Sequence, residues 1–559
     1  MRKSSARHII LILWGVVLLF SACKRNQDAA SEKIKERKHS KEAVTITESE
    51  SFDIGKIDTA YYYYGLLEDS CFYFKVNAID QQTISGHYYP VDGSVWLEAV
   101  PFTISYRDKK YYFKANGEEK SIRFSVTIDT SSFFGEFSTD PAGLLTRSFF
   151  FERYYEPKYQ DFATKRFKES IFQAQVKPDV VYGTAKGYWC SYPMNDTKYL
   201  KMLTSTLGKT ASRRNLDLTM DVYMPEDDTL DRHPLIVFLH GGAFYFGDKG
   251  ATTMSEWCKH FAETGYVTAS INYRLGFQIS RASIQRCGYM AIQDAHAALR
   301  YLVANAKEYG IDTNAIFVAG TSAGAITALN VALTTNATCP AFVQEQNLTQ
   351  KCGRLEDSGN SLKNKFKVKA IANMWGALYD LDVLKNKRIP IISFHGTEDH
   401  IVPYDEGYPF SSLKSNIGER LFDKMYGSKA IHERMNELHI HNQFFPIEGM
   451  GHSPYEDADG HLNHNYYFIQ NKIQNFFLDI LCGNCSVGYD KKNPTRFTLS
   501  NSNIAQTSWK VEGGFITEST PSEIQVLWRK NAPKHTVTAS CLLKNGASST
   551  KKITLKRSK

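Results

Sequence analysis

Ala315-Ile-Phe-Val-Ala-Gly-Thr-Ser-Ala-Gly-Ala-Ile-Thr-Ala-Leu-Asn-Val-Ala332 carries three local signals in succession. The apolar run 315–319 predicts a buried strand, Gly320-Thr321-Ser322-Ala323-Gly324 a tight turn, and the small residues that follow a helix. The glycines flank Ser322 because a strained reversal leaves no room for bulkier neighbours against the sheet. A helix N-terminus also lends partial positive charge to the serine, where oxyanion character would develop. In this context Ser322 reads as a nucleophile rather than as an ordinary turn residue.

About eighty residues upstream, Leu235-Ile-Val-Phe-Leu239 is another fully apolar strand, and it ends at His240-Gly241-Gly242-Ala243-Phe244. Gly241 and Gly242 let backbone N–H groups face a substrate oxygen, and with the N–H of Ala323 they form the expected oxyanion hole. His240 is expected to order this loop by hydrogen bonding. Downstream, His395-Gly-Thr-Glu-Asp399-His-Ile-Val-Pro403 follows the late strand Ile389-Pro-Ile-Ile-Ser-Phe394. Asp399 is the expected orienting carboxylate, with Glu398 and then Asp405 as alternatives. Gly449-Met-Gly-His452-Ser-Pro sets a histidine in a glycine-rich loop before a closing amphipathic helix at 466–481. His452 is the expected base, taking the Ser322 proton and returning it to a leaving alcohol while Asp399 stabilises the imidazolium. His400, His439, His441, His461 and His464 lie nearby but lack that loop context.

Residues from about 215 to 482 resemble the esterase and lipase branches of the α/β-hydrolase superfamily. Leu218-Thr-Met-Asp-Val-Tyr-Met-Pro225, HGGAF, Ile271-Asn-Tyr-Arg-Leu-Gly276 and GTSAG are similar to carboxylesterases and hormone-sensitive-lipase-like enzymes. The HGTEDHIVP stretch departs from the latter group and is closer to feruloyl-esterase-like and prolyl-oligopeptidase-like hydrolases. The resemblance implies an α/β fold with a mostly parallel sheet and the chain order Ser322, Asp399, His452. It implies cleavage of a carboxylic ester through an acyl-enzyme, on a small-molecule or lipid substrate. Lipase and serine peptidase are alternatives within the same fold, and an inactive surface binding protein is the alternative outside it. No metal or organic cofactor is expected, because nucleophile, base and oxyanion donors are all protein groups.

The rest of the chain places this centre in context. At 559 residues it exceeds one core, so two to four domains are expected. A net charge of +8 over that length, with no basic stripe, argues against nucleic acid as a partner. Met1-Arg-Lys-Ser-Ser-Ala-Arg-His8 is a basic n-region followed by an apolar run at 9–20 too short to span a bilayer. Phe20-Ser21-Ala22-Cys23 then looks like a bacterial lipobox, which implies a lipid on Cys23, a membrane anchor and a place in the cell envelope, outer membrane included. A plain secretory signal is the alternative.

The expected order is a signal peptide at 1–22, a charged tether at 23–48, a β-rich domain at 49–170, the α/β domain at 175–482 and a β-sandwich at 486–559. Alternating runs such as Cys71-Phe-Tyr-Phe-Lys-Val and Lys110-Tyr-Tyr-Phe-Lys-Ala support the first β domain as antiparallel. The last segment, with Trp509 near Gly513-Gly514, resembles the PKD-like and Ig-like modules of exported bacterial enzymes. Export permits disulfides, and Cys339 with Cys352 could close a local loop. The segments 334–363 and 404–442 are read as insertions that shape a pocket, with Phe244, Tyr245, Phe246, Trp375 and Tyr404 as aromatic candidates for its wall. Nothing in the sequence decides an oligomeric state.

Overall fold

The structure, a computed structural model, describes residues 44–47 and 62–555, apart from 68–69, 81–82, 93–94, 97–98, 109, 116, 129–131, 139–146, 155–156, 194–206, 340–351, 413–416, 458–459, 484, 493 and 530–531. The leader, Cys23 and the tether as far as residue 43 therefore lie outside the described residues, while Val44–Thr47, at the end of the expected tether, is a strand paired antiparallel with Glu118–Ile128. The chain divides into two compact units. One combines the residues before Ala163 with Cys485–Cys541 and Thr550–Lys559, and the other is Ala163–Asn484 with Leu542–Ser549.

The second unit is built on an eight-stranded sheet. Its strands are β1 (Ala174–Gly187), β2 (Arg214–Pro225), β3 (His233–Leu239), β4 (Val267–Ile271), β5 (Ile311–Thr321), β6 (Val368–Met374), β7 (Ile391–Gly396) and β8 (Asn442–Ile447), in the spatial order β1-β2-β4-β3-β5-β6-β7-β8. β1 and β2 run antiparallel to their neighbours, and every pairing from β4 to β8 is parallel. Parallel strands covered on both faces should be apolar throughout. β3 meets that requirement from Leu235 to Leu239, and β4, though wholly buried, carries Thr268 and Ser270, whose hydroxyls donate to the carbonyls of Cys258 and Lys249. The connecting helices are α1 (Thr252–Glu263), α2 (Arg281–Ala304), α3 (Ala323–Leu333), α4 (Ser428–Glu437) and α5 (His464–Cys482).

The strands and the closing helix fall where the apolar patterning places them. α2 does not. The spacing predicts a helix over 291–309, whereas the helix begins ten residues earlier, behind an N-cap in which the Ser280 hydroxyl accepts from the Ser283 N–H at 3.3 Å. Its first ten residues, Arg281-Ala-Ser-Ile-Gln-Arg-Cys-Gly-Tyr-Met290, mix Arg, Ser, Gln and Gly with few apolar positions, so periodicity does not pick them out. Asp294 and Gln293 are fully enclosed, and Asp294 pairs with Arg274 of the INYRLG motif at 2.7 Å.

In the first unit, strands between Tyr62 and Tyr154 form an antiparallel meander. They share one 14-stranded sheet with strands of the C-terminal segment, through Val95–Trp96 alongside Glu523–Arg529. Tyr73, Phe515 and Leu527 form a core with Tyr62, Tyr89 and Tyr154 packed on it, so these aromatics serve the interior. Trp509 is buried as well. Cys485 and Cys541 place their Sγ atoms 3.2 Å apart. No disulfide joins the described cysteines, and the Cys339 thiol instead donates to the Tyr289 hydroxyl at 3.6 Å.

Candidate active site

The parallel strands end along one edge of the sheet, and that edge gathers the candidate residues. Ser322 sits between β5 and α3 with φ 53° and ψ −121°, a strained conformation for a residue with a side chain. Its flanks show why glycine is required. A Cβ on Gly324 would lie 2.1 Å from the Leu239 carbonyl oxygen, and one on Gly320 would lie 2.4 Å from Gly324. The Ser322 N–H donates to the Met374 carbonyl at 2.9 Å, which ties the turn to β6.

The structure brings Ser322, His452 and Asp399 together. His452 Nε2 is 2.9 Å from the Ser322 hydroxyl, and His452 Nδ1 is 2.7 Å from Asp399 Oδ2. Nε2 accepts the serine proton only if Nδ1 carries its own, and the carboxylate beside Nδ1 holds that tautomer. Asp399 is buried at the end of β7, and its Oδ1 accepts the N–H groups of Ile401 and Val402 at 2.8 and 3.0 Å. Burial alone would raise its pKa. Hydrogen bonds from His395 and His452 outweigh that and hold the carboxyl well below the usual range, so it stays charged. The alternative acids lie elsewhere, Glu398 being exposed and Asp405 paired with Lys429 at 2.5 Å.

A second histidine completes the acid's surroundings, and sequence reasoning missed its part. His395, fully buried, places Nε2 3.2 Å from Asp399 Oδ2 and Nδ1 2.8 Å from the Ser428 hydroxyl. Asn373 Nδ2 in turn donates to Ser428 Oγ at 3.1 Å. With Nε2–H donated to the carboxylate, Nδ1 accepts from Ser428, and every member of this chain has a defined role. The four-residue spacing of His395 and Asp399 was the available signal. Ser428 and Asn373 gave none.

On the other side of Ser322, the HGG loop turns through three successive positive φ values, at Gly242 (109°), Ala243 (51°) and Phe244 (57°). The Gly242 carbonyl accepts from the N–H groups of Tyr245 and Phe246 at 3.0 and 2.9 Å. Gly241 lies against Ser322, where an added Cβ would come within 3.3 Å of the serine Cβ. Ala323 and Ala243 line the cleft at Ser322, and Ala243 is a residue that reading the two glycines alone passed over. His240 orders the loop: Nδ1 engages the Gly241 carbonyl at 2.8 Å, its ring stacks on Tyr273 at 4.4 Å, and the Tyr273 hydroxyl donates to the His240 carbonyl at 2.6 Å. Burial pushes its pKa down to about 4, so it is neutral near pH 7.

The cleft has a volume of about 80 Å³, and no charged residue lines it. Of the five aromatic candidates only Phe244 lines it. Tyr245, Phe246 and Trp375 are core residues, and Tyr404 packs edge-on against His395. The 404–442 insertion supplies Pro409, Phe410, Phe422 and Met425 to the wall. Behind His452, Trp375 stands 6.5 Å away with its ring at 72°, the outermost member of a stack that continues through Tyr455 to Trp257.

Sheet order, nucleophile turn and the Ser-Asp-His chain order together define an α/β-hydrolase fold. Residues 220–389 match the BD-FAE family model. Gut esterase 1 of Caenorhabditis elegans is 30% identical over 110 residues, 19% of this chain and 19% of its own length. The para-nitrobenzyl esterase of Bacillus subtilis is 29% identical over 155 residues, 27% of this chain and 30% of its own length. The chain thus spans less than a third of these relatives. The propionate-bound esterase of Thermogutta terrifontis superposes with a TM-score of 0.33 at 20% identity, covering 47% of this chain and 90% of that one.

Proposed function

We propose that this chain hydrolyses carboxylic esters through a serine acyl-enzyme. The observation that carries the reading is the continuous hydrogen-bonded line from the Ser322 hydroxyl through His452 to Asp399, at 2.9 and 2.7 Å, at the mouth of an uncharged cleft. Ser322 Oγ attacks the ester carbonyl as its proton passes to His452 Nε2. The carbonyl oxygen takes the negative charge, facing N–H groups of the Gly241–Gly242 loop and of Ala323. His452 then protonates the leaving alkoxide, and the alcohol departs. Water, deprotonated by the same nitrogen, attacks the acyl carbon and releases the acid, returning the proton to Ser322.

The leader and Cys23 add a location to this reading: a lipid-anchored enzyme of the bacterial cell envelope, held off its membrane by the charged tether. The C-terminal segment is read as a PKD-like module that supports the enzyme. The test of activity compares wild type with Ser322→Ala on p-nitrophenyl acetate and butyrate. Hydrolysis by wild type that falls by at least about a thousandfold in the variant is expected. Equal rates for the two proteins would rule the reading out.

A further inference from the structure

The cleft has a direction that the triad alone does not explain. Along α3 it is lined by Ser322, Ile326, Asn330 and Thr334, each four residues after the last and therefore on one face of the helix. Four residues advance the helix about 6 Å, so this face carries the lining about 18 Å from the nucleophile. The facing wall is one side of α2, through Ile284, Gly288 and Ile292. Both helices follow parallel strands of the sheet, and Tyr379, Pro409, Phe410, Phe422 and Met425 complete the lining.

Its polar members are turned to other partners. Asn330 Nδ2 donates to the Ile326 carbonyl and Asn330 Oδ1 accepts from the Thr334 hydroxyl, both at 2.9 Å. The Tyr289 hydroxyl donates to the Gly353 carbonyl at 3.0 Å, and Gln285 donates to Asp423. Apart from Ser322, the Tyr379 hydroxyl is the polar group left to the groove, and the rest of its wall is mostly carbon. Gly288 lies inside α2, where glycine is a poor helix former. No close packing requires it, because an added Cβ would meet nothing nearer than the Phe244 ring at 3.7 Å. The missing side chain leaves the groove open at that level.

The chemistry selects which half of the ester lies here. His452 must reach the leaving oxygen, and no residue of its loop lines the groove. The alcohol therefore departs on the His452 side and the acyl group lies between the helices. Resting on the ester-hydrolase reading, we propose that the α2–α3 groove binds a linear, uncharged acyl chain of medium length, laid along a helical face of about 18 Å. Gly288 is the residue that sets the permitted length.

The experiment measures kcat/KM of the full chain on p-nitrophenyl acetate, butyrate, octanoate and dodecanoate, for wild type, Gly288→Phe and the milder Gly288→Val, with circular dichroism checking that each variant is folded. Octanoate should exceed acetate by tenfold or more in wild type. The octanoate-to-acetate ratio should fall at least tenfold in Gly288→Phe, with Gly288→Val between the two. A wild type that gains nothing beyond butyrate, or folded variants that keep the wild-type ratio, overturns the groove assignment. If no ester is cleaved in a Ser322-dependent way, it is the esterase reading that fails.

Discussion

His395 illustrates what one buried side chain adds to a reacting centre it does not touch. It shares Asp399 Oδ2 with His452 while Oδ1 takes two backbone N–H groups, so the carboxylate is held by two imidazoles and two amides. Replacing His395 with Phe removes one hydrogen bond to a charged group, about 2 kcal/mol, and kcat on a short-chain ester should fall about thirtyfold. As a positioning effect it should leave KM nearly unchanged, and His395→Gln, which keeps a donor, should recover part of the loss. An equal rise in KM would mean that the substitution disturbs the cleft instead. Ser322, Asp399 and His452 were readable because each lies inside a local motif with its own turn or glycine signature. His395 lay in a quoted motif without a visible role, because its partners Ser428 and Asn373 come from α4 and β6 and no spacing along the chain links them.

At the scale of elements, two glycines on neighbouring helices call for opposite outcomes. Gly324 opens α3 against the end of β3, where backbone oxygens of Leu239 and His240 occupy the space a side chain would need. Gly324→Ala should cost at least about 3 kcal/mol or prevent folding. Gly288→Ala meets only ordinary contact and should raise stability by up to about 1 kcal/mol through helix propensity. Urea midpoints of the two variants against wild type check both. The same division governs what could be foreseen of the elements. Strands β3 and β5 were legible because burial on both faces makes 235–239 and 315–319 continuous apolar runs. The first ten residues of α2 were not, since Arg281, Ser283, Gln285, Arg286 and Gly288 interrupt the apolar rhythm there. The partnership of Val95–Trp96 with Glu523–Arg529 was beyond any local pattern, because the two strands lie more than four hundred residues apart.

For the whole molecule, pH is the variable that several buried groups share. His233, His240, His260 and His296 all have pKa values lowered by burial, to about 4 for His240 and about 3 for His296. In the unfolded chain each would take up a proton near pH 6.5. Between that value and the folded values the unfolded state binds more protons, so stability falls as the pH is lowered through this window. His240 and His296 can each contribute about 3 kcal/mol to the loss. The urea midpoint should therefore drop between pH 7 and pH 4.5, and His296→Phe, whose ring would pack on Phe366, should flatten that slope. Asp399 acts in a separate and lower window, since its depressed pKa withdraws stability only below the ordinary carboxylate range. Trp375, in the aromatic stack behind His452, lies 6.5 Å from that ring. On the proposed mechanism an acyl group left on Ser322 takes away the hydroxyl that His452 now engages, which changes the surroundings of the indole. Acylation should therefore register as a change in the protein's own fluorescence, readable with any ester, coloured or not.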